Sequence, residues 1–479
     1  MQLKKLKLIT ILFFLIILIL PGVQALFEIF PKHEIHENRT KTILKDIKFP
    51  LGLFNKDSIE NLTDYFNDNY GFREELISLN SLIDYSIFHV SSSNRVVIGK
   101  KDWLFFKDEI ESYTNRDVMS DREIDEIARK IKGYQEFLLK HDKKFIFVLT
   151  PNKSTVYPEF MNGKYKKGDA NKSNYLRLMQ AFQKYNVNYY EPLETLEKNK
   201  ITEQLYYKTD THWNNMGGYL AFRELLGYLD VLSGESLAEP ILSGREEISY
   251  TGDLSRMLAL KLTEREETLL LKSQLNSKLP SILWYRDSYS DKLLTYLQPY
   301  KSVIYDLHHT QMPMNRTEYK YVDKADIVVF QMLERFLPTL KYYDFSRAFP
   351  LYSSELTASD FKELSDVQLS NESLLKVTST SSDPHFELNH RFELSSDNKY
   401  TLVLEIQNNS SSKQYGQVFF RKEDGGYNEK NSVRYELPTE EEFLTFEIPD
   451  DMNFIRIDPL NAEGVTYIKS IDIYYEPNI

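Results

Sequence analysis

The sequence predicts an α/β protein: a parallel sheet with flanking helices, followed by a separate C-terminal β-sandwich. Three observations carry this expectation. Continuously apolar runs such as "KKFIFVLTP", "SILWYRDSYS" and "ADIVVFQML" alternate with segments of helical spacing, the pattern of buried parallel strands joined by helices. Beyond about residue 347 the helical spacing stops, and short period-2 runs separated by turn clusters take over. A length of 479 residues with 42% hydrophobic content can fill the cores of two or three domains.

Taken in order, the chain divides into a signal peptide or signal anchor (1–27), a helical lead-in (28–92), an α/β domain (93–346) and a sandwich (347–479). "MQLKKLK", "LITILFFLIILIL" and "PGVQAL" follow the basic, apolar, small order of an export signal, with Val23 and Ala25 as candidate cleavage residues. The apolar run Leu8 to Leu20 has 13 residues, about 20 Å of helix. That is short of the ~30 Å of a bilayer core, and extension to Phe27 takes in Pro21 and Gln24. Retained as an anchor, it leaves Lys4, Lys5 and Lys7 in the cytoplasm and the body outside. The lead-in "SIENLTDYFNDNYGFREELISLNSLIDYSIF" has helical spacing with a break at Gly71. "NRVVIGKKDWLFF" reads as two strands about a turn at Gly99–Asp102. "DREIDEIARKIKGYQEFLLKH" is amphipathic, with Ile124, Ile127, Ala128 and Ile131 on one side. Further helices are expected at "NYLRLMQAFQKYN", "GGYLAFRELLGYL" and "DKLLTYLQPY", and further strands at "VNYYEP" and "KSVIYDL".

Composition narrows the function. A net charge of −12 argues against a nucleic-acid or anionic-lipid partner. The absence of cysteine removes disulfides, thiolate catalysis and Cys-ligated metals. No Gly-rich phosphate loop or dinucleotide fingerprint occurs, and His308–His309 lacks partners at ligand spacing, so neither a cofactor nor a metal is expected.

The chemistry gathers at two stretches. "KTDTHWNNMGGYLAF" sets Asp210 two residues before His212 and beside Trp213, in a chain with nine His and three Trp. An Asp that accepts from His Nδ1–H fixes the tautomer and leaves Nε2 as a base. In "ILWYRDSYSDKLL" an apolar strand stops at Asp287–Ser288, just before a helix. A serine there stands where α/β sheets collect reacting groups and where amides can receive an oxyanion. The competing reading is that Ser288 or Ser290 merely caps the helix.

These residues resemble those of the SGNH-hydrolase-like O-acetyltransferases of the AlgX/AlgJ family, including Gram-positive relatives with a D-H-H-W signature, here "DTHW". The resemblance runs over roughly residues 66–340 through "FNDNYGFREELISLN", "VVIGKKDWLFF", "VLTPNKSTVYPE", "GDLSRMLAL", "RDSYS" and "ADIVVFQMLERFL". It implies Ser288 as nucleophile, His212 as general base and Asp210 as the residue orienting His212. Asp and His precede Ser, the reverse of ordinary SGNH esterases. Arg286 stands where many serine blocks carry Gly, which leaves the Ser288 amide as the first oxyanion donor. Arg286, Trp213, Lys153, Tyr157 and Arg335 are candidate substrate contacts. The resemblance further implies a polysaccharide acceptor and a membrane-embedded acyl-passing protein of the MBOAT type as acetyl supplier. The expected activity is transfer of an acetyl group to an exopolysaccharide or cell-envelope glycan outside the cytoplasm. A deacetylase using the same residues and a non-catalytic glycan scaffold are the alternatives. The sandwich resembles carbohydrate-binding modules, with Tyr415, Phe419, Tyr427 and Tyr435 as candidates for sugar stacking.

Overall fold

The computed structural model describes residues 2–30, 56–272, 278–311, 319–343, 345, 349–355, 357–371, 374–408, 414–437 and 442–477. The N-terminal segment is a helix, Gln2–Phe27, with Pro21 inside it. Among the described residues no helix is long and apolar enough to cross a membrane. The lead-in is helical where it is described: Lys56–Asn69 is followed by Arg73–Ile83. Residues 31–55 of it lie outside the described residues.

β1 (Val96–Ile98) and β2 (Leu104–Phe106) pair antiparallel, as the "VVIGKKDWLFF" run predicts. The amphipathic helix Asp121–Lys140 starts with a capping box, in which the Ser120 side chain and Glu123 satisfy each other's backbone N–H groups. Its apolar stripe, Ile124, Ile127, Ala128, Ile131 and Leu138, is buried.

β3 (Lys144–Thr150) and β4 (Tyr189–Tyr190) belong to the central sheet. β5 (Ile241–Thr251) and β6 (Thr263–Lys272) form a separate antiparallel hairpin. β7 (Ile282–Arg286), β8 (Ile304–His308) and β9 (Ile327–Leu333) complete the sheet in the order β4-β3-β9-β7-β8, every pair parallel. Alternate residues of one strand feed two cores. Ile146, Val148, Trp284 and Val329 join the helix Asn215–Ser233, while Phe145, Phe147, Tyr285 and Phe330 join the helix Asp121–Lys140. With both faces covered, the strands need no polar side, which is why β9 is buried along its whole length.

The sandwich follows. β10 (Phe349–Glu355), β11 (Phe361–Ser365), β12 (Val367–Asn371), β13 (Leu375–Ser379), β14 (His385–Leu388) and β15 (Asn398–Asn408) come first. β16 (Tyr415–Arg421), β17 (Ser432–Glu436), β18 (Glu442–Ile448), β19 (Phe454–Asp458) and β20 (Gly464–Pro477) complete it. One sheet runs β12-β13-β20-β15-β18 with β10 also on β20; the other runs β11-β14-β19-β16-β17. Between them lies a core that includes Val377, Phe386, Leu402, Val418, Ile455 and Ile471. Each such fully buried apolar side chain contributes about 1.5–3 kcal/mol in transfer terms.

Candidate active site

β7 is an apolar strand that ends in a tightly held turn. Asp287 is buried there, and its Oδ1 accepts from the Tyr289 N–H at 2.9 Å and from Gln331 Nε2 at 3.0 Å. Its Oδ2 accepts from the Leu333 N–H at 2.9 Å, so the turn is tied to β9. Burial pushes this carboxyl above its ordinary value, against those donors and the Arg335 charge. Ser288 is thereby left as the exposed residue between buried Asp287 and Tyr289. The helix Ser290–Leu297 takes no side-chain cap. The Ser290 hydroxyl accepts from Trp284 Nε1 and donates to Gln331 Oε1 instead.

The second stretch meets this turn from across the chain. Tyr206 and Trp213 form an isolated bridge, and residues 208–212 loop out between them. Trp213 Nε1 donates to the Tyr289 carbonyl at 3.1 Å, and the Tyr289 hydroxyl donates to the Thr211 carbonyl at 2.5 Å. These two crossings hold the loop against the turn. His212 Nε2 lies 2.8 Å from Ser288 Oγ, 76 positions away, and Nδ1 lies 2.6 Å from Asp210 Oδ1. With Nδ1–H donated to Asp210, Nε2 is free to take the serine proton. The His212 side chain is 26% exposed and that of Asp210 3%, so the base faces solvent and its partner does not.

The β5–β6 hairpin supplies a further shell. Gly252 crosses the loop so closely that a Cβ would lie 2.1 Å from the Thr209 carbonyl oxygen, contact only glycine permits. This brings the Tyr250 hydroxyl and the Asp253 N–H each to 2.8 Å from Asp210 Oδ2. Asp253 itself accepts from the Thr211 N–H and Oγ1 at 2.8 Å each. Burial disfavours the charge on Asp210, but the hydrogen bond and charge of His212 outweigh it and hold the carboxyl well below the usual range. Burial would lower His212; the hydrogen bond and charge of Asp210, then the charge of Asp253, raise it above 6.5. A base must be deprotonated to act, so activity is expected to rise with pH through a limb above 6.5. Removing one nearby negative charge weakens the hold on the imidazolium. The pH–rate profile of Asp253→Asn on an activated ester should therefore show this limb displaced to lower pH; an unmoved limb would contradict the assignment.

Asp210, His212 and Asp253 also place their ligand atoms within 4.8 Å of one another, a spacing a metal ion accepts. The four carboxylate oxygens, however, already take N–H or O–H donors from the protein. That donor set suits a hydrogen-bonded relay better than a cation.

A sequence profile described as "SGNH hydrolase-like domain, acetyltransferase AlgX" matches residues 96–278. Over this segment the chain is similar to the AlgX/AlgJ-like family. The match takes in Asp210 and His212 and stops short of Ser288. The probable alginate O-acetylase AlgJ of Pseudomonas syringae pv. tomato is 26% identical over 199 residues, 41% of this chain and 49% of that protein. The corresponding protein of Pseudomonas putida is 25% identical over 181 residues, 37% of this chain and 45% of that one. The chain thus spans about half the length of the curated relatives it matches. Among solved structures, the chain is similar to the O-acetyltransferase domain of Pseudomonas putida AlgJ, with a TM-score of 0.39 and 21% identity over 51% of this chain and 92% of that one. Pseudomonas aeruginosa AlgX aligns with a TM-score of 0.42 and 13% identity over 80% of this chain and 94% of that chain.

The remaining expected contacts fall unevenly. Arg286 reaches two neighbouring carboxylates, Asp306 at 2.5 and 2.7 Å and Asp291 at 2.5 Å, rather than open solvent. Trp213 is 0% exposed and packs edge-on against Tyr289. Tyr157 is 4% exposed; its ring packs at a tilt against Trp103 and its hydroxyl accepts from the Leu205 N–H. Lys153 is 0% exposed, and its Nζ donates to the carbonyls of Leu104, Lys208 and Asp210 at 2.6–2.9 Å. The expectation of substrate contact is corrected for these three: an apolar ring, or an amine with three backbone acceptors, is more stable inside the wall. Lys153→Met orphans those carbonyls and is expected to destabilise the fold by about 3 kcal/mol or more. Denaturant unfolding checks this; unchanged stability with a raised KM would restore the contact reading. Arg335 lies over Phe106 and Phe336, 3.8 Å from Glu109, with its Nε and Nη1 buried and without hydrogen-bond partners.

Sequence reasoning missed Tyr250, Asp253 and Asn152. Asn152 follows β3 at the same end of the sheet as Ser288, buried, with neither side-chain amide atom hydrogen-bonded. Its only signal was an Asn placed directly after the strand-ending Pro151.

Proposed function

We propose that this chain is an extracytoplasmic O-acetyltransferase that esterifies hydroxyl groups of a polysaccharide through an acetyl-serine intermediate. The observation that carries the reading is the unbroken chain from Ser288 through His212 to Asp210, at 2.8 and 2.6 Å, at the carboxyl end of a parallel sheet. The names of the O-acetylase relatives support the acetyl group and the polysaccharide.

His212 Nε2 removes the proton as Ser288 Oγ attacks the acetyl carbonyl carbon of the donor. The carbonyl oxygen becomes an oxyanion. The Ser288 N–H, which donates no hydrogen bond among the described residues, is free to receive it, and we assign Asn152 as a second donor. Collapse expels the leaving group, which takes the proton from His212. A sugar hydroxyl then gives its proton to His212 and attacks acetyl-Ser288, restoring the serine and leaving an O-acetyl ester. No metal or cofactor enters these steps.

The acetyl supplier is proposed to be a membrane-embedded acyl-passing protein of the MBOAT type. The sandwich is proposed to hold the polymer. An N-terminal export signal or anchor is part of the proposal and rests on the residue order of "MQLKKLK" and the apolar run after it. Fractionating cells and sequencing the mature N-terminus tests it; a cytoplasmic product ends it.

Incubation with an activated acetyl ester and an oligosaccharide tests the chemistry. The expected result is an acetylated Ser288 peptide and acetylated sugar. Free acetate with unmodified sugar would make the protein a hydrolase, and an unlabelled Ser288 would make it a scaffold.

A further inference from the structure

The two lead-in helices have their polarity inverted. In Arg73–Ile83 the buried positions are Glu74 and Ser81, both polar. At about 100° per residue, the opposite side of the helix carries Leu76, Leu79 and Ile83, and Ile87 and Val90 extend the row. These five side chains are 40–67% exposed. Lys56–Asn69 repeats the pattern: Asp68 is buried, while Leu62 and Phe66, with Tyr70 just beyond, point outward. A surface helix ordinarily buries its apolar side. We propose that this outward row lies on the surface of a lipid bilayer and holds the domain there beside the N-terminal helix. It rests on the proposed retention of that helix as an anchor.

What covers the row follows from what it adjoins. Gly71 lies in the turn that joins the two helices, and an added Cβ there would come within 2.0 Å of the Pro21 carbonyl oxygen and 2.9 Å of the Gln24 Cβ. The last turns of the N-terminal helix therefore rest on that turn. Just past its end, the Phe30 and Phe72 rings lie 5.7 Å apart. Ile9, Phe13, Ile16 and Leu20 of the N-terminal helix are themselves exposed. The two apolar surfaces meet, and a bilayer covers both at once. The N-terminal apolar run alone is short of a span, and membrane hold grows with the apolar area buried. The concentration is local. Among the described residues, ten of the exposed large apolar side chains fall within 62–90, against eleven in everything after 90, so this stretch is an interaction surface rather than ordinary scatter.

Charge selects the lipid. Residues 62–90 hold one Arg and no Lys against five carboxylates, so the row suits zwitterionic headgroups and apolar contact rather than anionic lipid. The inward side ties the row to the reacting groups. Tyr85 packs against the cluster of Val96, Leu104, Leu254 and Leu258, and its hydroxyl donates to Asp102 at 3.1 Å. Leu254 follows Asp253, whose N–H donates to Asp210. A lead-in lying on the bilayer thus fixes how far the Ser288 turn stands from the membrane.

The chain has no cysteine, so single cysteines take a nitroxide label at one place only. The full chain carrying Ile16→Cys, Leu79→Cys, Ile83→Cys or Ile201→Cys is labelled and reconstituted into phosphatidylcholine vesicles. Collision with oxygen and with a water-soluble nickel chelate gives the depth of each label. Ile201, 83% exposed and outside the row, is the control. The expected result is residues 79 and 83 about 5–10 Å below the headgroup boundary, residue 16 deeper and residue 201 in water. Added phosphatidylglycerol or salt should not move them. Leu76→Ser with Ile87→Ser should shift the partition of the label at 83 toward water by about tenfold or more, with the thermal melt and the turnover of a small activated ester unchanged. Labels at 79 and 83 in water while that at 16 is in lipid would overturn the proposal and leave the anchor standing. Labels at 79 and 83 sheltered from both collision partners would also overturn it, since a second copy, another protein or residues 31–55 would then cover the row. A label at 16 in water with 79 and 83 in lipid would end the anchor reading and keep the row on the membrane; all four in water would end both.

Discussion

Replacing Ser288 with alanine is expected to lower acetyl transfer by about 10⁴–10⁶-fold, to what binding and oxyanion stabilisation alone provide. The side chain is exposed at the end of a turn whose geometry is set by Asp287, not by the serine hydroxyl. The variant should therefore fold and melt like the parent. Ser288 Oγ makes its one described hydrogen bond to His212 Nε2, so the loss is chemical rather than structural. Mass spectrometry after exposure to an activated acetyl ester should find no acetyl group on the 282–297 segment. In cells, polymer acetylation should disappear. Retained acetylation would remove Ser288 from the reaction.

Asp210→Asn is expected to cost about 10⁴-fold. The reasoning is one of donors and acceptors. Oδ1 accepts from the His212 N–H and Nδ1–H, and Oδ2 from the Tyr250 hydroxyl and the Asp253 N–H. Four donors converge on two oxygens, and an amide can present only one oxygen. If its NH₂ faces His212, the imidazole must turn Nε2–H toward Ser288 and stops being a base. If its NH₂ faces the hairpin, two donors there are left facing a third. Steady-state rates beside a thermal melt separate the two: the first orientation lowers kcat and leaves only the His212 N–H facing a donor, the second leaves two donors so placed and lowers stability more. Activity within tenfold of the parent would show that Asp210 does not set the tautomer.

Much of this was legible in the residues, for a physical reason. β3, β7 and β9 are buried on both faces, so their apolar runs stand out, and the turn at Asp287–Ser288 follows from where the run ends. The short spacing of Asp210 and His212 announced the pair, though their meeting with Ser288 was read from family resemblance. The β5–β6 hairpin was hidden. "ILSGREEISYT" and "TEREETLLLK" are rich in polar and charged residues, and their strands pair with each other over a largely exposed surface, so no apolar alternation marks them. Tyr250 and Asp253 were lost with it. Lys153 misled because a lysine in a segment that resembles the family suggests a ligand contact, whereas three convergent carbonyls can hold an ammonium in the interior.

The crossing at Gly252 has an effect beyond local fit. The carboxylate behind the imidazole is braced by a two-stranded arm that carries little apolar packing of its own, and such arms open more cheaply than the sheet they lean on. Each transient departure of the arm would strip Asp210 of two donors while the sheet stays intact. On the proposed reading, turnover would then pause and recover without unfolding, and a contact that steadied the arm would act as an activator from outside the pocket.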